Sequence, residues 1–250
     1  MKRATPVLLF DRYKNWIVNR LFPLKAVEIN GLKFRYLRND APPHNPREFS
    51  ARGQEFHERI GHLSGDSAID VGAHIGSYTL RLARKFRSVT AFEPSPLHSR
   101  ILRINIALNN LQNVRVEEAA LSDTNGVLPL YVRRGGATSL DPSHYGLRYD
   151  KVNFVNAAKL DDFQHKFVRL DFAKIDAEGL EYRILNGGRE IISRFRPIMA
   201  IEVHRARVSS DGSCKCDTCD LIHSFGYDVY VTGEFSSVGD VHWVWASSRR

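Results

Sequence analysis

From about residue 66 onward, short apolar runs alternate with amphipathic stretches, and this alternation predicts the fold. The runs fall at 67–71, 88–93, 114–119, 171–176 and 197–203, with two closing runs near 227–232 and 241–246. Short continuous apolar segments of this kind suit strands buried on both faces. Between 96 and 109, Leu97, Ile101, Ile104 and Leu108 recur at helical spacing behind Ser95, a suitable N-cap. Strands alternating with such helices predict an α/β fold, a doubly wound and mostly parallel seven-stranded sheet with helices on both faces.

The pattern upstream is different. Val27, Ile29, Leu32, Phe34 and Tyr36 partly alternate with polar residues around Asn30-Gly31, which predicts a hairpin over 26–40. Pro42, Pro43 and Pro46 make 41–47 a loop, and Phe49, Phe56 and Ile60 are spaced for one face of a helix over 49–62. The chain is therefore read as an N-terminal helix and hairpin appendage at 1–47 and one main domain at 48–250. Between 121 and 160 the helical pattern lapses into Leu128–Val132, the pair Gly135-Gly136 and a strand near 152–158. An irregular insertion of that length is expected to cover a substrate site.

Composition narrows the picture modestly. A length of 250 residues suits a single domain with additions. Lys and Arg number 36 against 28 acids, a net charge of +8 that raises the question of nucleic acid. The arginines are scattered and form no long run, so a solvated basic surface is the preferred reading. Residues 11–21, with Trp16, Ile17, Val18 and Leu21, form an amphipathic stretch that is expected to pack on the core, with peripheral membrane contact as the alternative. Val7–Phe10 is too short for the apolar part of a secretory leader, and a cytoplasmic setting is the expectation.

The chemistry concentrates at Asp70-Val71-Gly72-Ala73-His74-Ile75-Gly76, followed by a second strand ending in Glu93-Pro94. A strand, a glycine turn, a helix and an acid closing the next strand suit an adenosine-containing cofactor, whose ribose hydroxyls the acid can hold. The spacing is not the G-x-G-x-x-G that brings a pyrophosphate onto a helix N-terminus. An acid before the turn favours a cationic ligand, and S-adenosylmethionine is such a ligand.

These residues resemble the first two motifs of the FkbM-type methyltransferases. Lys174-Ile175-Asp176-Ala177-Glu178-Gly179-Leu180-Glu181 and Pro197-Ile198-Met199-Ala200-Ile201-Glu202-Val203-His204 resemble that family's own signatures. His74 departs from the family, which usually has Asn there. The resemblance implies a Rossmann-like class I methyltransferase fold and O-methylation of a hydroxyl on a sugar, a lipid-linked glycan or a polyketide-like small molecule. The candidate cofactor residues are Asp70, Gly72, His74, Gly76, Glu93 and Ser122, with Asp70 facing the cationic part of S-adenosylmethionine.

Asp70, Glu93, Asp176 and Glu202 all fall near the carboxyl ends of predicted strands, where open α/β sheets bind ligands. His204, two residues beyond Glu202 on the same face, is the expected general base, with Asp176 as the other candidate. Asp176, Glu178 and Glu202 are alternatively ligands for a metal that lowers the acceptor pKa. A helix cap is the plainer reading of Glu178. Cys214, Cys216, Cys219 and His223 form a separate C-x-C-x-x-C-x-x-x-H cluster, a candidate zinc set with free thiols as the alternative. Rival readings of the whole chain are a nicotinamide-dependent oxidoreductase and a nucleic-acid-binding protein on a methyltransferase scaffold. The missing third glycine and the retained acids, respectively, count against them.

Overall fold

The computed structural model describes residues 24–38, 42–43, 58–133, 138–141, 149–204, 216–232 and 242–248. The stretch predicted as an amphipathic helix at 11–21 lies outside these residues. Of the helix predicted at 49–62, the described part, 58–62, is helical.

The chain opens with β1 (Leu24–Ile29) and β2 (Leu32–Leu37), antiparallel strands paired from Leu24 opposite Leu37 to Ile29 opposite Leu32. Asn30 and Gly31 turn between them with φ of 52° and 70°, the left-handed pair that matches the strand twist in a two-residue hairpin. Leu32 and Phe34 are buried among Ala73, Leu80, Leu102 and Ile106, so the hairpin shares a core with the elements that follow.

The main sheet is built from β3 (Gly65–Val71), β4 (Phe86–Phe92), β5 (Val114–Glu117), β10 (Phe172–Ile175), β11 (Ile198–Val203), β12 (Tyr227–Thr232) and β13 (His242–Ser248). Its spatial order is β12-β13-β11-β10-β3-β4-β5. Only β13 runs against the others, pairing antiparallel with both β11 and β12. The seven predicted strands are these seven, each displaced by a few residues at most. Helix α1 (Thr79–Ala83) follows β3 and α2 (Pro96–Leu108) follows β4. Helices α3 (Glu181–Asn186) and α4 (Arg189–Phe195) connect β10 to β11, and α5 (Asp217–Ser224) precedes β12.

Period-two alternation explains why both faces need cover. Ile69, Val71, Ile175, Met199 and Ile201 pack under Ile184, Leu185, Ile191 and Ile222 on one side. Ala68, Val89, Phe172 and Ala200 meet Tyr78 and Leu82 on the other. Strand order reverses between β3 and β10, which opens a crevice at their carboxyl ends.

The 121–160 region contains the strand expected near 152–158, but it is a regular sheet rather than the irregular insertion that the sequence suggested. Strands β6 (Ala120–Ser122), β7 (Gly126–Val132), β8 (Thr138–Ser139) and β9 (Lys151–Lys159) form a second sheet in the order β6-β9-β7-β8. Pro129 and the glycines obscured the pattern, yet β9 buries Val155 and Ala157 while exposing Phe154 and Asn156. The apolar run predicted as one strand at 114–119 divides at Glu118, and its continuation enters this second sheet.

Candidate active site

A cavity of about 450 Å³ lies at the carboxyl ends of β3, β4, β10 and β11. Its floor is the turn after β3. Gly72 has φ of +72°, and a Cβ there would stand 1.8 Å from the Asp176 carbonyl oxygen, so only glycine lets the two chain segments pass. Both Gly72 and Ala73 donate their N–H groups to the Phe92 carbonyl at 3.0 Å. His74 then adopts φ of 51°, a left-handed conformation in which Asn, Asp and His are enriched. The departure from the Asn usual in the family therefore falls at a position where backbone conformation limits the choice. Its ring meets His98 edge-on, with centroids 4.2 Å apart.

Glu93 is buried at the cavity wall. Its Oε2 accepts the His74 N–H and its Oε1 the Ser95 N–H, both at 2.8 Å. Burial raises its pKa, while His98 and these two amides work in the opposite direction. Each oxygen keeps a further lone pair, so the carboxylate can still accept two hydroxyl donors.

The opposite wall is acidic and is organised by Lys174, a charged residue inside an otherwise apolar strand. The Lys174 ammonium stands 3.3 Å from Asp70 Oδ1 and 3.4 Å from Asp176 Oδ2, and donates to the Gly72 carbonyl at 3.1 Å. Burial alone would lower its pKa; the two carboxylates outweigh burial and hold it above the ordinary lysine range. Asp70 is fully buried, accepts the Thr79 hydroxyl at 2.5 Å, and does not line the cavity. Its charge meets Lys174, which overturns the expectation that it faces a cationic ligand.

Asp176 and Glu202 line the cavity together. Burial, then the charge and hydrogen bond of Asp176, push the Glu202 pKa well above the usual carboxylate range. Tyr78 also lines this wall; burial and then Glu202 and Asp176 push its pKa well up, and its ring lies 5.1 Å from the Lys174 ammonium.

His204 sits behind the wall and does not line the cavity. Its Nδ1 is 3.0 Å from Glu181 Oε1 and its Nε2 is 3.5 Å from Glu178 Oε2. Burial would lower its pKa, yet the carboxylates of Glu181, Asp176 and Glu178 push it up to about 9. An imidazolium at neutral pH has no lone pair with which to take a proton, so the expected general base is a cationic clamp instead. Glu181 Oε1 also accepts the Ala177 and Gly179 N–H groups at 3.2 and 3.1 Å. These bonds fix a turn in which Glu178 and Gly179 take φ of 53° and 102°. Ser139 of the second sheet donates to the Glu178 carbonyl at 2.7 Å, tying that sheet to the same turn.

Of the candidate site residues, Gly72, His74, Glu93, Asp176, Glu178 and Glu202 line one cavity. Gly76 instead turns the backbone at φ of +100° against Leu80 and Leu102. Ser122 is buried, with its hydroxyl 3.2 Å from Asp123, and does not line the cavity. The roles of Lys174, Tyr78, Glu181 and Ser139 were missed. A lysine within an apolar strand was the available signal for the first of these.

Asp176, Glu202 and His204 are the described residues whose ligand atoms cluster within 4.8 Å. The His204 imidazolium, held by two carboxylates, already supplies positive charge there, and a metal ligand would have to be neutral imidazole. Binding a metal there would require displacing the His204 proton. In the cysteine cluster, Cys214 lies outside the described residues. Cys216 caps α5 by accepting the Cys219 N–H at 3.4 Å, Cys219 is buried in the core, and His223 Nδ1 lies 3.1 Å from the Tyr227 carbonyl. Each of these three has a structural role in or beside α5.

Comparison with known proteins agrees with this geometry. Residues 70–229 match the methyltransferase FkbM domain. Methyltransferase sdnD of Sordaria araneosa is 29% identical over 152 residues, covering 48% of this chain and 59% of its own length. The tRNA/tmRNA (uracil-C(5))-methyltransferase of a Marinomonas strain is 27% identical over 140 residues, covering 53% of this chain and 38% of its own. The chain thus spans less than two thirds of the length of these curated relatives. The crystal structure of methyltransferase FkbM from Methylobacillus flagellatus superposes with a TM-score of 0.52 at 16% identity, covering 76% of this chain and 50% of the other, a likeness of fold.

Proposed function

This chain belongs to the FkbM methyltransferase family, and on that premise we propose that it moves the methyl group of S-adenosylmethionine onto a hydroxyl oxygen of a sugar, a lipid-linked glycan or a polyketide-like small molecule. The observation that carries the reading is the cavity at the strand-order reversal, with Glu93 on one wall and Asp176, Glu178 and Glu202 on the other. Its volume of about 450 Å³ lies within the ordinary range of small-molecule sites.

The residues present fit that cofactor. Glu93 has two spare acceptor positions for a vicinal diol, and the acidic wall favours a cationic group over a pyrophosphate. S-adenosylmethionine supplies an electrophilic methyl carbon on a sulfonium. Asp176, which lines the cavity 3.4 Å from the Lys174 ammonium, takes the proton from the acceptor hydroxyl, and His204 positions Glu178 beside it through the 3.5 Å ion pair. Orientation of the acceptor oxygen within the cavity adds to the rate.

Calorimetric titration with S-adenosylmethionine and with NAD tests the cofactor. Binding of the first alone supports the reading; binding of NAD alone overturns it. Methyl transfer is then screened on sugar, lipid-linked glycan and polyketide hydroxyls, with tRNA included because one relative carries that name and the chain bears a charge of +8. Transfer to tRNA and to none of the hydroxyl acceptors would replace the O-methylation reading.

A further inference from the structure

We propose that Asn105 is a positioning residue that couples the β1–β2 hairpin to the turn forming the floor of the cavity. The proposal rests on the reading of that cavity as a cofactor site. The hairpin precedes residue 70, where the family match begins, so family membership assigns it no part in the chemistry.

Asn105 is fully buried on α2 and bonds in two directions. Its Nδ2 donates to the Ile75 carbonyl at 2.8 Å and to the Arg35 carbonyl at 3.0 Å, while its Oδ1 accepts the Arg35 N–H at 2.6 Å. A side-chain amide offers two donors and an acceptor, and this one uses all of these functions. Ile75 lies between His74 and Ser77, which line the cavity, and His74 donates its N–H to Glu93. One side chain therefore joins β2 to the segment that holds the Glu93 carboxylate.

One helical turn later, Asn109 repeats half of the arrangement. Its Oδ1 accepts the Lys33 N–H at 2.9 Å and its Nδ2 donates to the Lys33 carbonyl at 2.7 Å. The two asparagines, four residues apart on one helix face, bind alternate residues of β2 as a neighbouring strand would. Both latch the hairpin. Asn105 also bonds to the turn, and this difference allows latching and positioning to be separated.

Asn105→Asp keeps the size and the acceptor for Arg35 but sets a carboxylate oxygen against the Ile75 and Arg35 carbonyls. In the full chain, amide hydrogen exchange over 72–77 is expected to quicken by about tenfold, and affinity for S-adenosylhomocysteine to fall by a similar factor. Asn109→Asp, which sets a carboxylate oxygen against the Lys33 and Asn105 main-chain carbonyls but touches nothing in the 72–77 turn, should quicken exchange in the hairpin and leave both other readouts within about twofold. Should Asn105→Asp fail to fold, Asn105→Ser, too short to span both partners, carries the same expectation. Unchanged exchange over 72–77 in a folded Asn105 variant overturns the proposal, as does an equal effect from Asn109→Asp. A wild-type chain that does not bind S-adenosylhomocysteine overturns the cofactor reading alone, because the exchange data decide the role of Asn105 without a ligand.

Discussion

Glu93 and Lys174 are both buried charges, yet their removal should have different consequences. In Glu93→Ala the His74 and Ser95 amides lose their acceptor and a cofactor diol loses its partner. Charge-assisted hydrogen bonds are worth about 1.5–3 kcal/mol each, so calorimetry should show S-adenosylmethionine affinity lowered about tenfold or more. Lys174→Met leaves Asp70 as an uncompensated buried charge, a change that costs about 3–5 kcal/mol when one member of a buried pair is removed. Urea denaturation should show that loss, and adding Asp70→Asn to the same chain should restore part of it. His204→Gln separates the clamp from the base. A general base would lose about 10²–10⁴-fold in turnover, whereas a clamp on Glu178 should lose less and keep its dependence on Asp176.

Elements meet the cavity through their ends, and this makes the turns more sensitive than the strands that they join. A Cβ at Gly72 would stand 1.8 Å from a backbone oxygen of the neighbouring strand end. Neither segment can yield without breaking the Asp176 N–H bond to the Val71 carbonyl. Gly72→Ala is accordingly expected to destabilise by more than about 1–3 kcal/mol, the ordinary cost of overpacking, and thermal unfolding measures it. The second sheet reaches the site through Ser139. Ser139→Ala removes its bond to the Glu178 carbonyl, and steady-state kinetics should show KM for the acceptor raised with cofactor affinity unchanged.

At the scale of the molecule, the charge of +8 hides a site of opposite character, with Asp70, Glu93, Asp176, Glu178, Glu181 and Glu202 gathered around Lys174 and His204. Because the folded-state pKa of His204 is raised from 6.5 to about 9, the stability that its clamp contributes is fully present below pH 6.5. That contribution is lost as pH rises through about 9. Chemical denaturation across this interval should show wild-type stability declining more steeply than that of His204→Gln. A chain with the same slope in both forms would place the titration elsewhere.

The sheet was legible in the sequence because strands buried on both faces must be apolar throughout, so its seven runs stood out against amphipathic helices. The lining of the cavity was legible at Gly72, Glu93, Asp176, Glu178 and Glu202, since backbone clearance and the carboxyl ends of parallel strands restrict which residues can stand there. The second sheet was legible only at its strand near 152–158, because Pro129 and the glycines mask a period of two whose partners lie far apart in the chain. The pairings of Asp70 with Lys174 and of His204 with Glu178 and Glu181 were not legible. A residue type specifies which charge it can carry, but whether that charge faces a ligand or a neighbour depends on distances of 3–4 Å that only the packed chain establishes. Sequence alone therefore determined the fold, the cavity's place and the acids around it, while the tertiary structure decided which acids remain available for chemistry and made the expected base a cation.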